Sequence, residues 1–268
     1  MPLVVCATPI GNLDDITLRA LRELTEADLV LCEDTRHTRV LLKRHGIDAR
    51  LLSYHEHNEA KRTAEVVPRL QAGERVALVS DAGLPAISDP GARLVAAALD
   101  SGVSVSVVPG PSAVETALVA SGFDAERYQF VGFLPRQRGR LEDLWRELAQ
   151  WRHALVAFES PQRLGRSLAG LAETLPERPV AVCRELTKRF EEVVRGPARD
   201  VAPRFADGAK GEITVVIGPA AVETSADDDA ALAAVAALVA EGTSHRTAAD
   251  VVARLTGVAR NRLYRGSL

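Results

Sequence analysis

Short apolar runs alternate with amphipathic stretches through the first half of the chain. Leu3–Ala7, Leu29–Cys32, Val76–Val79 and Val103–Val108 are rich in β-branched residues and carry few polar interruptions. Such runs read as strands buried on both faces of a parallel sheet. Leu51–His55 adds a short strand. Between them the spacing is helical: Ile16–Leu24 behind the early carboxylates Asp14 and Asp15, a helix through Val40–Leu42 stopping at Gly46, Asn58–Leu70, Pro90–Leu99 and Ala113–Ala120. Beyond Gly122 the alternation loosens. Strands are predicted at Tyr128–Phe133, Ala154–Phe158, Val180–Cys183, Glu191–Gly196 and Glu212–Ile217, with helices only at Leu141–Leu148 and Leu164–Leu175. More strands per helix predict a mixed sheet. The expected division is therefore an α/β domain over residues 1–121, a second over 122–222 and a helical segment over 223–268. That segment opens on an acidic linker or helix start at Ser225–Asp229. It ends in two short helices about Thr256-Gly257, a helix-turn-helix-like pattern rich in arginine.

Three of the predicted strands run into turns rich in proline and glycine: Thr8-Pro9-Ile10-Gly11-Asn12, Ser80-Asp81-Ala82-Gly83-Leu84-Pro85 and Pro109-Gly110-Pro111-Ser112-Ala113. Open α/β sheets bind ligands beyond the carboxyl ends of their strands, so these turns outline a pocket. Neither GxxxxGK[ST] nor a strand-to-helix GxGxxG is present. The prolines also remove N–H donors that a phosphate cradle would use. A compact ligand held by carbonyls, a few N–H groups and apolar contacts is expected.

Composition narrows the class. At 268 residues and a formal charge of −3, a globally basic nucleic-acid binder is excluded, though a local basic patch is not. No apolar stretch is long and uncharged enough to span a bilayer. No basic leader precedes the first strand, which predicts a cytoplasmic protein. Cys6, Cys32 and Cys183 are scattered in apolar runs and read as core residues.

Glu33, Asp34, Arg36 and His37 cluster just past a strand end, where loops carry function. Asp34 or His37 is suited to accept a proton, while a helix cap or an Asp34–Arg36 pair is the plainer role. His55 and His57 share one side of an extended segment, but no further His or Cys ligand lies nearby. Orientation of a substrate or closure of the pocket, with Glu56, Asn58 and Glu59 as partners, is the reading adopted. Arg184, Glu185 and Lys188 form a mixed charge run, and Arg136, Arg138 and Arg140 a denser basic one.

Thr8–Ala20 resembles the opening motif of the tetrapyrrole methylase superfamily. The motifs Cys32–Thr38, His55–Glu59, Val79–Pro85, Asp89–Gly91, Gly132–Pro135, Glu159–Arg163, Arg184–Lys188 and Arg260–Tyr264 are similar to the branch that methylates small-subunit ribosomal RNA. Leu84 departs from that branch, where a small polar residue is usual. The resemblance implies two α/β domains enclosing S-adenosylmethionine, a homodimer, and 2′-O-methylation of a cytidine in the decoding region of 16S rRNA within the 30S subunit. It implies catalytic roles for Glu33, Asp34, Arg36, His37, Arg184 and Glu185. Cofactor contacts are implied for Pro9, Ser80, Asp81, Ala82, Gly83, Pro109, Gly110, Pro111, Ser112, Ala113, Phe158, Glu159 and Thr214. His55, Asn58, Arg136, Arg138, Lys188, Arg260 and Arg262 are expected on the RNA, with no metal. Tyr54, Phe133 and Tyr264 are the candidate stacking platforms. Two other readings stay open: a precorrin-type tetrapyrrole methyltransferase, and a non-catalytic RNA-binding assembly factor.

Overall fold

The computed structural model describes residues 2–220 and 226–268. The chain falls into two compact units, Met1–Ala220 and Ala221–Leu268. The first unit contains two five-stranded sheets.

In the first sheet, β1 (Leu3–Cys6), β2 (Leu29–Cys32), β3 (Leu51–Ser53), β4 (Val76–Leu78) and β5 (Val105–Val108) are all parallel, in the order β3-β2-β4-β1-β5. The helices between them are α1 (Leu18–Glu26), α2 (Thr35–Arg44), α3 (Glu59–Gln71) and α4 (Ala92–Asp100), and α5 (Ala113–Ser121) follows β5. Alternate strand residues feed two separate cores. Leu3, Val5, Leu29, Leu31 and Leu78 pack with Val66 and Leu70 of α3 and Leu94 and Ala98 of α4. Val4, Cys6, Val30, Cys32 and Ala77 pack with Ala20 and Leu24 of α1 and Leu41 and Leu42 of α2. Burial on both faces is why these strands read as unbroken apolar runs.

The second sheet is mixed. It contains β6 (Tyr128–Phe133), β7 (Ala154–Glu159), β8 (Pro179–Arg184), β9 (Glu192–Pro197) and β10 (Ile213–Ile217), in the order β6-β7-β10-β8-β9. Only β6 and β7 are parallel. One face is covered by α6 (Arg138–Leu148), α7 (Leu164–Thr174) and the single turn α8 (Ala198–Val201), through Trp145, Leu168, Leu171 and Val201. The opposite face receives α5. Val114, Ala117 and Leu118 of that helix, with Ile10 from the turn after β1, share one core with Val156, Ala181, Cys183 and Val216.

The second unit holds α9 (Ala226–Ala240), α10 (His245–Thr256) and α11 (Arg260–Gly266) around a core of Ala231, Val235, Ala248, Val252 and Leu263. Ser244 caps α10 and Gly257, at φ 76°, ends it. The linker expected from Ser225 begins outside the described residues; Ala226 to Asp229 form the first turn of α9. Among the described residues no helix is long and apolar enough to cross a membrane.

Several element ends differ from expectation, each for a local reason. The strand predicted to His55 stops at Ser53, because the Asn58 amide bonds the Ser53 carbonyl (3.2 Å) and accepts from the His55 N–H (2.9 Å), turning the chain. The helix predicted from Pro90 starts at Ala92, after Gly91 at φ 141° has given its N–H to Glu59 Oε1 (3.1 Å). Thr35–Thr38, expected in a loop, is the first turn of α2, with Asp34 as its N-cap.

Where the β8–β9 loop meets the turn after β1, Gly11 leaves no room for a side chain. A Cβ there would lie 2.5 Å from Lys188 Cγ, 2.6 Å from Thr187 Oγ1 and 2.7 Å from the Leu186 carbonyl. The next residue, Asn12, donates its N–H to Thr187 Oγ1 at 3.0 Å. Gly11→Ala is expected to lower stability by about 1–3 kcal/mol, the usual cost of overpacking, measured as a shift in the urea midpoint at unchanged m-value.

Candidate active site

The three turns singled out in the sequence follow β1, β4 and β5, which are neighbours in the sheet. They are stitched together by backbone. The Thr8 N–H donates to the Gly83 carbonyl at 2.8 Å and the Gly83 N–H to the Thr8 carbonyl at 3.0 Å. The buried Thr8 hydroxyl adds a bond to the Ser80 carbonyl (3.1 Å), and the Ser80 hydroxyl donates to the Ala82 and Gly83 carbonyls, each at 3.2 Å. Gly110 packs so tightly that a Cβ there would lie 2.9 Å from that of Ala7.

Beside this framework lies a cavity of about 430 Å³. One wall comes from the turns: Ile10, Ala82, Gly83, Ser112, Ala113 and Val114. The other comes from the second sheet, where strand register sets Phe133, Phe158, Thr214 and Cys183 in a row across β6, β7, β10 and β8. A third part is the loop after Gly83, with Leu84, Ile87, Ser88 and Asp89. The lining carries three acids, Asp89, Glu159 and Glu212, and neither a lysine nor an arginine. Glu159 is paired with Arg163 and Glu212 with Lys188, so the charge here that favours a cation is that of Asp89.

Asp89 is the acid whose state the site controls. Burial pushes its carboxyl up to about 6, and the charges of Glu33 and Asp81 push the same way. The Ser80 hydroxyl alone favours its ionised form. Glu33 is raised as well, by burial and then by Asp81. Glu159 behaves differently: its buried carboxylate accepts from the Ser160 N–H (2.7 Å) and the Ser167 hydroxyl (2.6 Å), and pairs with Arg163 (3.3 Å). It fixes the chain beyond β7. Burial raises the Cys183 thiol to about 11, and the thiol rests against the Ala117 carbonyl.

Of the residues expected at the cofactor, Ala82, Gly83, Ser112, Ala113, Phe158, Glu159 and Thr214 line the cavity. Pro9, Ser80 and Asp81 instead line a small adjoining recess with His37 and Thr38. Pro109, Gly110 and Pro111 line neither. Ile87, Ser88 and Asp89 were not singled out; the Asp89-Pro90-Gly91 motif was the available signal.

The Glu33–His37 group lies outside the main cavity. Asp34 accepts from the Arg36 N–H (2.8 Å) and forms a two-pronged pair with the Arg36 guanidinium, which holds its carboxyl well below the usual carboxylate range. The structure thus places Asp34 as the N-cap of α2. His37 Nδ1 lies 3.8 Å from Asp81 Oδ2, and Asp81 Oδ1 accepts the Asp34 N–H at 3.1 Å. Arg184 pairs with Glu192 (3.1 Å); Lys188 bridges Glu185 (2.9 Å) and Glu212 (3.0 Å). Glu185 and Thr187 hold left-handed backbone, at φ 52° and 64°, where this loop grips Gly11.

Among the residues expected on RNA, Asn58 is spent on its own loop, and its Nδ2 lies 3.0 Å from His55 Nε2. Arg136 is exposed, Arg138 pairs with Glu142 at 2.6 Å, and Arg260 pairs with Asp250. Arg262 lies on α11. Tyr54 is no stacking platform: it is 1% exposed, with its hydroxyl between Glu59 and Thr63.

Residues 2–202 match the family described as Tetrapyrrole (Corrin/Porphyrin) Methylases. The chain belongs to this family. Residues 225–266 match the RsmI C-terminal HTH domain. A ribosomal RNA small subunit methyltransferase I from Mesorhizobium japonicum is 47% identical over 266 residues, covering 98% of this chain and 90% of that protein. Proteins of the same name from Mycobacterium bovis (45% identical, 98% of this chain and 93% of that one) and Thermotoga maritima (46%, 80% and 97%) are similarly related. Among solved structures, the methyltransferase CobJ aligns with a TM-score of 0.63 at 22% identity, covering 82% of this chain and 95% of that one. Uroporphyrin-III-C-methyltransferase from Thermus thermophilus aligns with a TM-score of 0.56 at 24% identity, covering 81% and 94%. These structures share the methylase fold.

In this member of the methylase family Asp34 works as a helix cap. Asp34→Ala is expected to cost about 1 kcal/mol of stability and Asp34→Asn to recover most of it, read by thermal or chemical unfolding.

Proposed function

We propose that the protein transfers a methyl group from S-adenosylmethionine to a ribose 2′-hydroxyl of 16S rRNA, on a cytidine of the decoding region presented by the 30S subunit. The observation that carries the cofactor assignment is Asp89 in a lining without lysine or arginine, which suits a sulfonium cation with an amino group. Asp89 would face that charge, Thr214 and Ser112 offer hydroxyls, and the Ala82-Gly83 backbone allows close approach. Once bound, the cofactor supplies an electrophilic methyl group. What the chain contributes is alignment of the ribose hydroxyl, exclusion of water and a place for the departing proton. With Asp34 committed to Arg36, His37 beside Asp81 is the acceptor this reading favours.

The RNA substrate is supported by the names of relatives that match 98% of this chain and by the carboxy-terminal match to a helix-turn-helix domain. A tetrapyrrole substrate fits less well, because a macrocycle carrying many carboxylates would meet the acids at the cavity. Cytoplasmic location and a homodimer accompany this reading.

Labelled methyl from S-adenosylmethionine should appear in ribose of 16S rRNA when 30S subunits lacking the modification are supplied. Naked 16S rRNA and a tetrapyrrole serve as parallel substrates, and label in the tetrapyrrole alone would replace this reading. Cofactor affinity should also depend on pH. A cation binds the ionised form of Asp89, so affinity is full above about pH 6 and falls as pH drops through that value, by up to about tenfold per unit. Asp89→Asn should weaken binding and flatten this dependence, both measured by titration calorimetry.

A further inference from the structure

The lip of the cavity carries a feature to which the reading above gives no role. β6 pairs regularly with β7 as far as Phe130, and the register then shifts before Phe133. Gly132, inside the shift, adopts φ 68°. A bulge of this kind re-aims a side chain. Here it leaves the Phe133 ring 58% exposed in the cavity lining, edge-on to Phe158 at 5.6 Å.

Opposite stands the loop after Gly83. Ala86 and Ser88 both hold left-handed backbone, at φ 70° and 63°, a conformation that residues other than glycine adopt at a cost. Ile87 between them is 48% exposed in the same lining. A Cβ on Gly132 would lie 3.5 Å from Ser88 Oγ, so bulge and loop face each other. Two strained segments thus hold two large apolar side chains in solvent at one opening.

The backbone beneath the ring is fixed. The Leu134 N–H donates to the Phe158 carbonyl at 3.0 Å. Arg163 Nη2 donates to the carbonyls of Leu134 (3.2 Å) and Pro135 (2.7 Å), and Arg163 is itself held by buried Glu159. Just beyond, Arg136 and Arg140 are exposed and have no carboxylate partner among the described residues. An apolar ring flanked by unpaired cations is the chemistry that single-stranded nucleic acid selects, a base on the ring and phosphates on the cations.

We propose that Phe133 and Ile87 form a jaw for the target nucleobase of the RNA, with Arg136 and Arg140 on the neighbouring phosphates. The inference rests on the ribosomal RNA reading above. Phe133 is then a positioning residue: it holds the base so that the attached ribose reaches the cavity.

Methyl transfer by the wild-type protein to unmodified 30S subunits and to naked 16S rRNA is measured first. Phe133→Ala should raise KM for the RNA substrate roughly ten- to a hundredfold, with a smaller fall in kcat. Cofactor affinity by calorimetry should change less than KM for the RNA, and the unfolding midpoint should not change. Phe133→Trp should restore KM, and its added indole emission should be quenched by a decoding-region oligonucleotide without cofactor. Arg136→Ala with Arg140→Ala should make the salt dependence of RNA binding shallower by about 1.4 in log–log slope. An unchanged KM in Phe133→Ala would overturn the jaw while leaving the rRNA reading intact. So would a loss confined to cofactor affinity, or a changed oligomeric state with normal RNA kinetics. No wild-type transfer to either RNA would overturn both.

Discussion

The cavity depends on one helix that follows the parallel sheet and packs on the mixed one. α5 leaves the last turn of the parallel sheet and buries Val114, Ala117 and Leu118 against the mixed sheet. That shared apolar cluster fixes the gap between the sheets, and the contact of the β8–β9 loop with Gly11 closes its far side. Burial here is non-directional. The directional part comes from the Thr8–Gly83 bridge and the Asn12–Thr187 bond. Together they let flexible-looking turns hold a ligand-sized space open, so a ligand meets a site already formed and the cost of ordering it is met in folding.

Charge around the site is mostly paired. Asp89 faces the cavity, while basic side chains on the surrounding loops are either paired with acids or set outside it. Lys188 is bridged between Glu185 and Glu212, Arg184 is paired with Glu192, and Arg163 is turned to carbonyls and Glu159. Arg136 and Arg140 stand beyond Pro135, outside the lining. A cationic ligand and a polyanionic one can therefore approach the same opening without competing for the same groups.

The chain made much of this legible. Continuous apolar runs announced the parallel strands because each is buried on both faces, and the three turns stood out because proline and glycine are constrained at fixed positions. Two classes of feature were hidden. The row Phe133, Phe158, Thr214 and Cys183 is a product of register between strands far apart in sequence, which no local pattern encodes. Tyr54 gave the opposite error: it is one of few aromatics and so a candidate platform, yet its ring is core and its hydroxyl is satisfied by Glu59 and Thr63. The Glu33–His37 motif was found, but its division of labour was not. Only geometry shows Asp34 spent on Arg36 and His37 turned to Asp81.

The wall opposite the turns includes a sulfur atom. If the cavity holds a sulfonium methyl donor, it keeps an alkylating agent close to Cys183. Thiolates are the form of cysteine that alkylating agents attack. With its thiol raised to about 11 by burial, Cys183 is overwhelmingly protonated at neutral pH. With such a donor bound, the apolar packing that builds the wall would also keep the neighbouring thiol in its unreactive form.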